Sequence, residues 1–249
     1  MKIIISPAKT MKYNKLNNKI SSDVFFVNES NYLQNLLSTY SLNDLKKIYK
    51  CNDKIAEINY IRYQNINSEK LCNPIYSFDG IQYKNINVDL MNDNELIYLQ
   101  NNLFILSALY GILKPFDKIN LYRLDLENKI NLENHKNLYD YWNNKVYNYI
   151  SSTTDTIINL ASKEYGKLIT PYFSNNVKII SCHFGEISNN KFTEKSTTAK
   201  IGRGLFVKYM AINKINDINS LKKFNLNNFI LYEKISNKEN LYFVKTKDK

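Results

Sequence analysis

The sequence has few residues of the kinds that build metal centres and disulfide frameworks. It contains three cysteines, Cys51, Cys72 and Cys182, and two histidines, His135 and His183. The cysteines lack CxxC spacing and their odd number excludes a fully paired framework, so we expect reduced thiols that belong mostly to the core. Two histidines alone cannot form a His-rich zinc or iron site. The sequence therefore predicts no dedicated metal site and no cofactor.

Long apolar runs are also absent. No stretch approaches the roughly 18 consecutive apolar residues of a membrane-spanning helix. The first segment, MKIIISPAKT, has an apolar run of only three residues after its lysine, which is too short for a signal peptide. We expect a cytoplasmic protein without a membrane partner, and no pattern identifies an obligate protein partner. With 249 residues, of which 44% are hydrophobic, the chain can bury a substantial core.

Acidic residues are fewer than basic ones. The chain has 34 Lys and Arg against 23 Asp and Glu, for a formal net charge of +11. This excess favours a polyanionic partner, nucleic acid first and an anionic membrane surface second. The abundance of Asn, Ile, Lys and Tyr is also what AT-rich codon usage produces, so charge by itself supports nucleic-acid binding only weakly.

Arginine is scarce, since only Arg62, Arg123 and Arg203 occur among the 34 basic residues. Lysine serves wherever a simple positive charge is enough. The planar guanidinium of arginine instead grips a phosphate or carboxylate through two bonds, or stacks on an aromatic ring. The three arginines are therefore our first candidates for function. The structural alternative for each is a buried arginine that ties a loop to a carboxylate.

Strand-like and helix-like segments alternate along the chain, without a repeat or a Gly/Pro/Ser-rich linker. Alternation of this kind predicts one α/β domain, residues 1–249, with a mixed central sheet flanked by helices. The segments predicted as strands are residues 2–5, 24–27, 74–83, 103–107, 156–160, 177–182, 191–193, 229–235 and 241–245. The strand order is not readable from the sequence.

Capping residues predict the helices. Ser41 opens a helix that runs through Lys50, Asn52 caps one over residues 53–63, and Asn92 caps one that ends near Asn102. Apolar spacing predicts two more, over residues 138–150 and 196–213. The first two helices would form a helix-hairpin-helix-like element.

That helix pair is a predicted phosphate site. Lys54 and Arg62 share helical spacing on the second helix, whose N-terminal amides and Lys54 would face outward toward a nucleic-acid backbone. Ordinary packing of two helices is the alternative explanation.

Residues 103–124 concentrate rare residue types. Gly111, Pro115 and Arg123 lie within thirteen residues of one another. A turn at Tyr110 and Gly111 would shape a groove in which Lys114 and Arg123 grip an anion. We predict that this segment forms the central wall of a basic cleft.

Two short motifs, together with residues 52–62 of the helix pair, are predicted to form the other walls of that cleft. The loop SPAKT brings Ser6 and Lys9 to the end of the first strand, where α/β proteins place ligand contacts. It lacks the GxxxxGK pattern of a P-loop. In KIGRG, the glycines beside Arg203 would let the backbone approach a ligand that Arg203 and Lys200 hold. The predicted DNA- or anion-binding residues are thus Ser6, Lys9, Lys54, Arg62, Tyr110, Lys114, Arg123, Lys200 and Arg203.

Catalytic patterns are missing. The chain has no GxSxG elbow, and nothing identifies a partner for His183 as a base. No catalytic residue is therefore assigned from the sequence.

Eight segments carry a resemblance to a known family: SPAKT (6–10), NDKIAEINYIRY (52–63), SFDGIQY (77–83), LSALYGILKPFD (106–117), YRLDL (122–126), LYDYW (138–142), INLASKEY (158–165) and KIGRG (200–204). In the order and spacing of these segments, the chain resembles the YaaA family of bacterial peroxide-stress proteins. The resemblance implies a cytoplasmic α/β protein with a helix-hairpin-helix element and a positively charged cleft that binds DNA. It also implies protection against peroxide by limiting free intracellular iron, and it brings no established reaction.

Three functions stay open at this point. The first is a DNA-binding protein that protects DNA during peroxide stress. The second is an enzyme that acts on a nucleotide or nucleobase, with Ser6, Lys9, Asn159, Glu164 and Lys200 around one cleft. The third is an iron-sequestering protein, which two histidines support poorly.

Overall fold

The computed structural model describes residues 1–14, 16, 20–66, 70–173 and 176–246. Its strands are β1 (Lys2–Ile5), β2 (Leu103–Ser107), β3 (Gly111–Leu113), β4 (Thr156–Asn159), β5 (Lys178–Ser188), β6 (Lys191–Thr193), β7 (Phe229–Leu231) and β8 (Asn240–Lys245). Its helices are α1 (Val27–Ser38), α2 (Leu42–Tyr49), α3 (Asp53–Gln64), α4 (Pro74–Ser77), α5 (Ile81–Ile86), α6 (Asp93–Asn102), α7 (Leu138–Trp142), α8 (Lys145–Ser151), α9 (Lys163–Gly166), α10 (Ser196–Ile212) and α11 (Ile218–Leu221). Short 3-10 turns occupy Val88–Leu90 and Thr170–Tyr172.

The strands form one mixed sheet in the order β3-β2-β1-β4-β5-β8-β7, with β6 paired to β5. The five strands from β2 to β8 in this order are parallel, whereas β3, β6 and β7 pair antiparallel to their neighbours. The predicted α/β class and mixed sheet are confirmed. β1 and β2 are almost wholly apolar and buried, as expected for parallel strands covered on both faces.

The strand order reverses beside β1. After β1 the chain adds β2 and β3 on one side, and then returns to place β4 on the other side, followed by β5. The connections that leave β1 and β4 therefore diverge, which opens a crevice at the carboxyl ends of these two strands. Open α/β sheets bind their ligands in such a crevice.

The predicted helix caps are confirmed. Ser41 accepts a hydrogen bond from the Asp44 amide in a capping box at the start of α2, and Asn52 caps α3 in the same way. Asn92 forms the capping box of α6 with Glu95. Among the described residues, no helix combines the length and the apolar composition needed to cross a membrane.

Three predicted elements are wrong. Residues 74–83 form α4 and the start of α5 instead of a bent strand, because Pro74 occupies the first turn of α4 and extended Gly80 precedes α5. Residues 24–27 form no strand, since α1 begins at Val27. The helix predicted over 138–150 is two helices, because Asn143 adopts a φ of 43° between them.

A tight turn joins β2 to β3 at Gly111. This residue has a φ of +69°, and a Cβ atom there would lie 2.6 Å from the ring of Trp142. The Trp142 indole is fully buried and donates to the Ala108 carbonyl at 2.9 Å. Glycine is therefore required both by the backbone and by the packing of the core.

Candidate functional site

A cavity of about 470 Å³ opens at the carboxyl ends of β1 and β4. We call it the switch-point pocket. Its apolar walls come from Pro7, Ala8 and Ile81. Its polar lining residues include Ser6, Lys9, Thr10, Asp79, Gln82, Tyr83, Asp125, Ser162, Glu164, Tyr165, Lys200 and Arg203.

Two serines tie the strand ends together beneath this pocket. The Ser6 hydroxyl accepts a hydrogen bond from the Ser162 amide at 2.8 Å and donates to the Ser162 hydroxyl at 3.1 Å. The Ser6 carbonyl accepts the Tyr83 hydroxyl at 3.0 Å. Ser162 also caps α9, so the loop after β1 and the helix after β4 are held in fixed positions.

Tyr165 lines the pocket, and its hydroxyl has no hydrogen-bond partner within the described residues. The residue is only 4% exposed. Burial raises the pKa of Tyr165 well above its usual value, and the nearby charge of Asp125 adds to the effect. The phenol therefore remains protonated, and its hydroxyl is a buried donor in a residue that lines the cavity.

Carboxylates also line the pocket. Asp125 forms an ion pair with Lys9 at 3.2 Å, although the Lys9 side chain is 66% exposed. Glu164 accepts a hydrogen bond from the Leu126 amide at 3.1 Å. Burial raises the pKa of Glu164, and the charges of Asp125 and Glu127 raise it further. The pocket is consequently of mixed charge.

A second cavity, of about 660 Å³, adjoins the first and shares Lys9, Asp125 and Glu164 with it. We call it the basic groove. Its other lining residues are Lys47, Ile48, Tyr49, Lys50, Arg123, Glu127, Asn128 and Lys129.

Arg123 is the arginine of this groove. Its guanidinium lies 5.7 Å from the centre of the Tyr49 ring. Its Nε is buried without a hydrogen-bond partner among the described residues. No ion pair joins Arg123 to a described carboxylate, so its charge is available to an anion that enters the groove.

Arg203 has a different environment. It donates to Glu194 at 2.6 Å, and Glu194 lies 3.6 Å from Nδ1 of His183. Burial lowers the pKa of Arg203. Burial would raise the pKa of Glu194, but the hydrogen bond with His183 and the charge of Arg203 hold it below its usual value. The structural alternative, an arginine that holds a loop carboxylate, is the arrangement observed here.

The glycines beside Arg203 also have a structural role. A Cβ atom at Gly202 would lie 2.4 Å from the Phe184 ring on β5, and one at Gly204 would lie 2.3 Å from the Gln82 carbonyl on α5. The glycines therefore let α10 approach the sheet and α5, while the expected approach of the backbone to a ligand stays a prediction.

The predicted residues divide into two groups. Ser6, Lys9, Lys200 and Arg203 line the switch-point pocket, and Arg123 joins Lys9 in the basic groove. The other four, Lys54, Arg62, Tyr110 and Lys114, line neither cavity.

Each residue of the second group has its own environment. Lys54 is exposed on α3, and Arg62 donates to the Met11 carbonyl at 3.3 Å. Tyr110 is 3% exposed and accepts the Asn120 amide. Lys114 follows β3, near Lys2 at the amino-terminal edge of the parallel strands.

Sequence reasoning missed Tyr165 as a site residue. Tyr165 is one of 20 tyrosines, so composition gave it no prominence, and its unpaired hydroxyl depends on contacts between distant segments. Within the described residues, no group of three or more His, Cys, Asp and Glu side chains is arranged to hold a metal ion.

Comparison with known proteins identifies one family over almost the whole chain. A family model described as peroxide stress protein YaaA matches residues 1–235. A UPF0246 protein of Finegoldia magna is 45% identical over 249 residues, covering 99% of this chain and 98% of the relative. One from Lachnoclostridium phytofermentans is 41% identical over 246 residues, covering 98% and 96%. One from Clostridioides difficile is 36% identical over 246 residues, covering 98% and 100%.

Proposed function

The chain belongs to the family of the peroxide stress protein YaaA, and on that premise we propose that it binds DNA in the basic groove and protects it during peroxide stress. The family resemblance predicted from eight short segments is confirmed. DNA binding and the limitation of free iron, which the resemblance also implies, are the parts that we propose.

Arg123 is the observation that supports DNA binding most directly. A buried or half-buried arginine normally has a carboxylate partner, as Arg203 does. Arg123 instead lies over the Tyr49 ring and forms no ion pair with a described carboxylate, so its charge faces no internal partner of this kind. A guanidinium held by an aromatic ring is well suited to a phosphate, which it contacts through two parallel bonds.

Exposed lysines surround this arginine. Lys47 and Lys50 stand on one side of the groove at the end of α2, and Lys129 stands beyond Asn128. Such lysines attract a phosphate backbone without reading its sequence. The carboxylates Asp125 and Glu164 line the part shared with the switch-point pocket, and Glu127 lines the groove alone. Phosphates would lie nearest Lys47, Lys50 and Lys129.

The test is a titration of a labelled DNA duplex at several salt concentrations, followed by fluorescence anisotropy. For Arg123→Ala we expect about a tenfold weaker affinity, since a hydrogen bond to a charged group is worth about 1.5 kcal/mol or more. The log-log salt slope should fall by about 0.9 for each phosphate that the variant no longer neutralises.

Lys191→Ala is the matched control, because it removes one positive charge from the exposed strand β6 outside the groove. Its affinity should stay near that of the unaltered protein. Lys54→Ala and Arg62→Ala test the helix pair separately. Failure of the unaltered protein to bind duplex at low salt, or equal losses in the Arg123 and Lys191 variants, would contradict the proposal.

The role in iron limitation follows the family resemblance and is tested in cells. A strain that lacks the protein should lose peroxide survival and show more free iron by electron paramagnetic resonance. Complementation with Arg123→Ala should restore neither if DNA binding is the cause. Full rescue by this variant would show that protection against peroxide does not depend on DNA binding in the basic groove.

A second candidate function is an enzyme that acts on a nucleotide or nucleobase. The observation that favours it is the meeting of Ser6, Lys9, Glu164 and Lys200 around one pocket, with Asn159 at the adjoining cavity. A carboxyl with a raised pKa, such as Glu164, suits proton transfer near neutral pH. Incubation with nucleosides and oligonucleotides, followed by mass spectrometry, should show a product that Glu164→Gln abolishes.

A further inference from the structure

We propose that the switch-point pocket binds a single nucleobase, and that the Tyr165 hydroxyl donates the hydrogen bond that recognises it. This inference deepens the proposed function and rests on it for the idea that a nucleic acid is the partner. The shared chemistry is a planar heterocycle, supplied either by an unpaired base of DNA or by a free nucleoside or nucleotide.

The first step of the argument is the unpaired state of Tyr165. Buried hydroxyls almost always have a partner, and the neighbouring tyrosines follow this rule. Tyr83 donates to the Ser6 carbonyl at 3.0 Å, and Tyr122 pairs with the Ser107 hydroxyl at 2.7 Å. The Tyr165 hydroxyl has no partner among the described residues, although the residue is 4% exposed and lines the cavity. A ligand atom that accepts a hydrogen bond would complete it.

The second step is the chemistry of the surrounding groups. Asp125 and Glu164 line the same pocket and are close enough to act electrostatically on Tyr165. Carboxylates accept hydrogen bonds, so a ligand with N–H donors would complement them. The remaining walls include apolar Pro7, Ala8 and Ile81. A nucleobase is a ring of this kind, because one edge combines carbonyl or ring-nitrogen acceptors with N–H donors.

The third step excludes phosphate from the floor of the pocket. The carboxylates would repel it there, and the cations stand at the rim. Lys9 is 66% exposed, and Lys200 is exposed at the first turns of α10. The charge of Arg203 is already paired with Glu194 through its terminal nitrogen, although its Nε has no partner among the described residues. A bound nucleotide would therefore place its base inside and its phosphate outside.

The fourth step is access. The pocket and the basic groove share Lys9, Asp125 and Glu164, so a strand in the groove passes the mouth of the pocket. A volume of about 470 Å³ falls in the range of small-molecule sites. Extrusion of a base from a duplex costs least when the base is unpaired, so DNA with an unpaired base is the preferred probe.

The experiment compares a fully paired duplex with the same duplex carrying one unpaired base, for the full chain and for Tyr165→Phe. We expect the unaltered protein to bind the second duplex about three- to tenfold more tightly, the ratio that one neutral hydrogen bond provides. Tyr165→Phe should lose this ratio and keep its affinity for the paired duplex. Tyr32→Phe, which removes a hydroxyl from an exposed tyrosine of α1, should keep the ratio.

A second arm titrates the four free nucleosides and their monophosphates by calorimetry. Binding that Tyr165→Phe weakens, without a preference between the duplexes, supports the same pocket with a free nucleotide as the source. Tyr165-dependent nucleoside binding by a protein that binds no duplex would uphold this inference while the proposed DNA binding fails. Duplex binding without any preference and without nucleoside binding would overturn this inference alone.

Discussion

Two buried polar groups lie at opposite ends of the parallel strands, and they differ in their hydrogen-bond partners. Asp117 lies at the amino-terminal edge of the parallel strands, is 2% exposed and accepts hydrogen bonds from the Lys114 amide and the Ser22 hydroxyl. Tyr165 lies at the carboxyl-terminal edge, and its hydroxyl has no partner among the described residues. The fold itself supplies the hydrogen-bond partners of Asp117, whereas the partner of Tyr165 would come from the ligand that we propose. The difference teaches where the molecule maintains its structure and where it is prepared to bind.

The largest effect should come from Asp117→Ala. The substitution leaves the Lys114 amide without its acceptor, and an unsatisfied buried donor costs about 2 kcal/mol of unfolding free energy. Urea denaturation at pH 5 measures it. The control is Asp23→Ala, because Asp23 is 80% exposed in its ion pair with Lys118 and should change stability by less than about 1 kcal/mol. Equal losses in the two variants would remove the distinction between a satisfied buried group and a surface pair.

An effect of similar size should appear in the pH dependence of stability. Burial raises the pKa of Asp117 from 3.8 to about 6. Because the folded-state pKa is the higher one, the stabilisation is complete below about pH 4 and is lost as the pH rises through about 6.

Asp117→Asn cannot ionise and therefore provides the reference. Between pH 4 and pH 7 the unfolding free energy of the unaltered protein should fall by roughly 2 kcal/mol relative to this variant. Parallel pH profiles for the two proteins would show that Asp117 does not carry this linkage.

The smallest effect should come from Tyr165→Phe. The variant removes a hydroxyl that has no hydrogen-bond partner in the described part of the chain, so the unfolding free energy should change by less than about 0.5 kcal/mol or rise slightly. Thermal unfolding measures this without ligand. Addition of a ligand that occupies the pocket should then stabilise the unaltered protein more than the variant. A large loss of stability without ligand would mean that Tyr165 belongs to the fold in the way that Asp117 does.

Features that depend on neighbouring residues were predictable from the sequence. The caps at Ser41, Asn52 and Asn92 depend on groups three residues away, and each is present. The buried strand at residues 2–5 follows from its composition alone. By contrast, aromatic residues in 74–83 favoured a strand, but Pro74 and the packing of Phe78 and Tyr83 into the core produce two short helices.

The candidate site was predictable only where strand ends mark it. Ser6 and Lys9 follow β1, and both line the switch-point pocket. The scarcity of arginine drew attention to Arg123 and Arg203. It did not show that Arg203 has a structural role, because that role depends on its ion pair with Glu194, which only the structure reveals. The strand order and the unpaired Tyr165 depend on contacts between distant segments, which no local pattern encodes.

The glycines of α10 determine how stiff the binding site is. Gly202 and Gly204 bring the helix backbone against β5 and α5, so the wall with Lys200 and Arg203 moves only together with the sheet. The facing wall includes the ion pair between Asp125 and the mostly exposed Lys9, which costs little to break, whereas the backbone beside Asp125 is held by the hydrogen bond from the Leu126 amide to Glu164. Ligand entry and release should therefore require displacement of the Lys9 side chain and not of the helix wall.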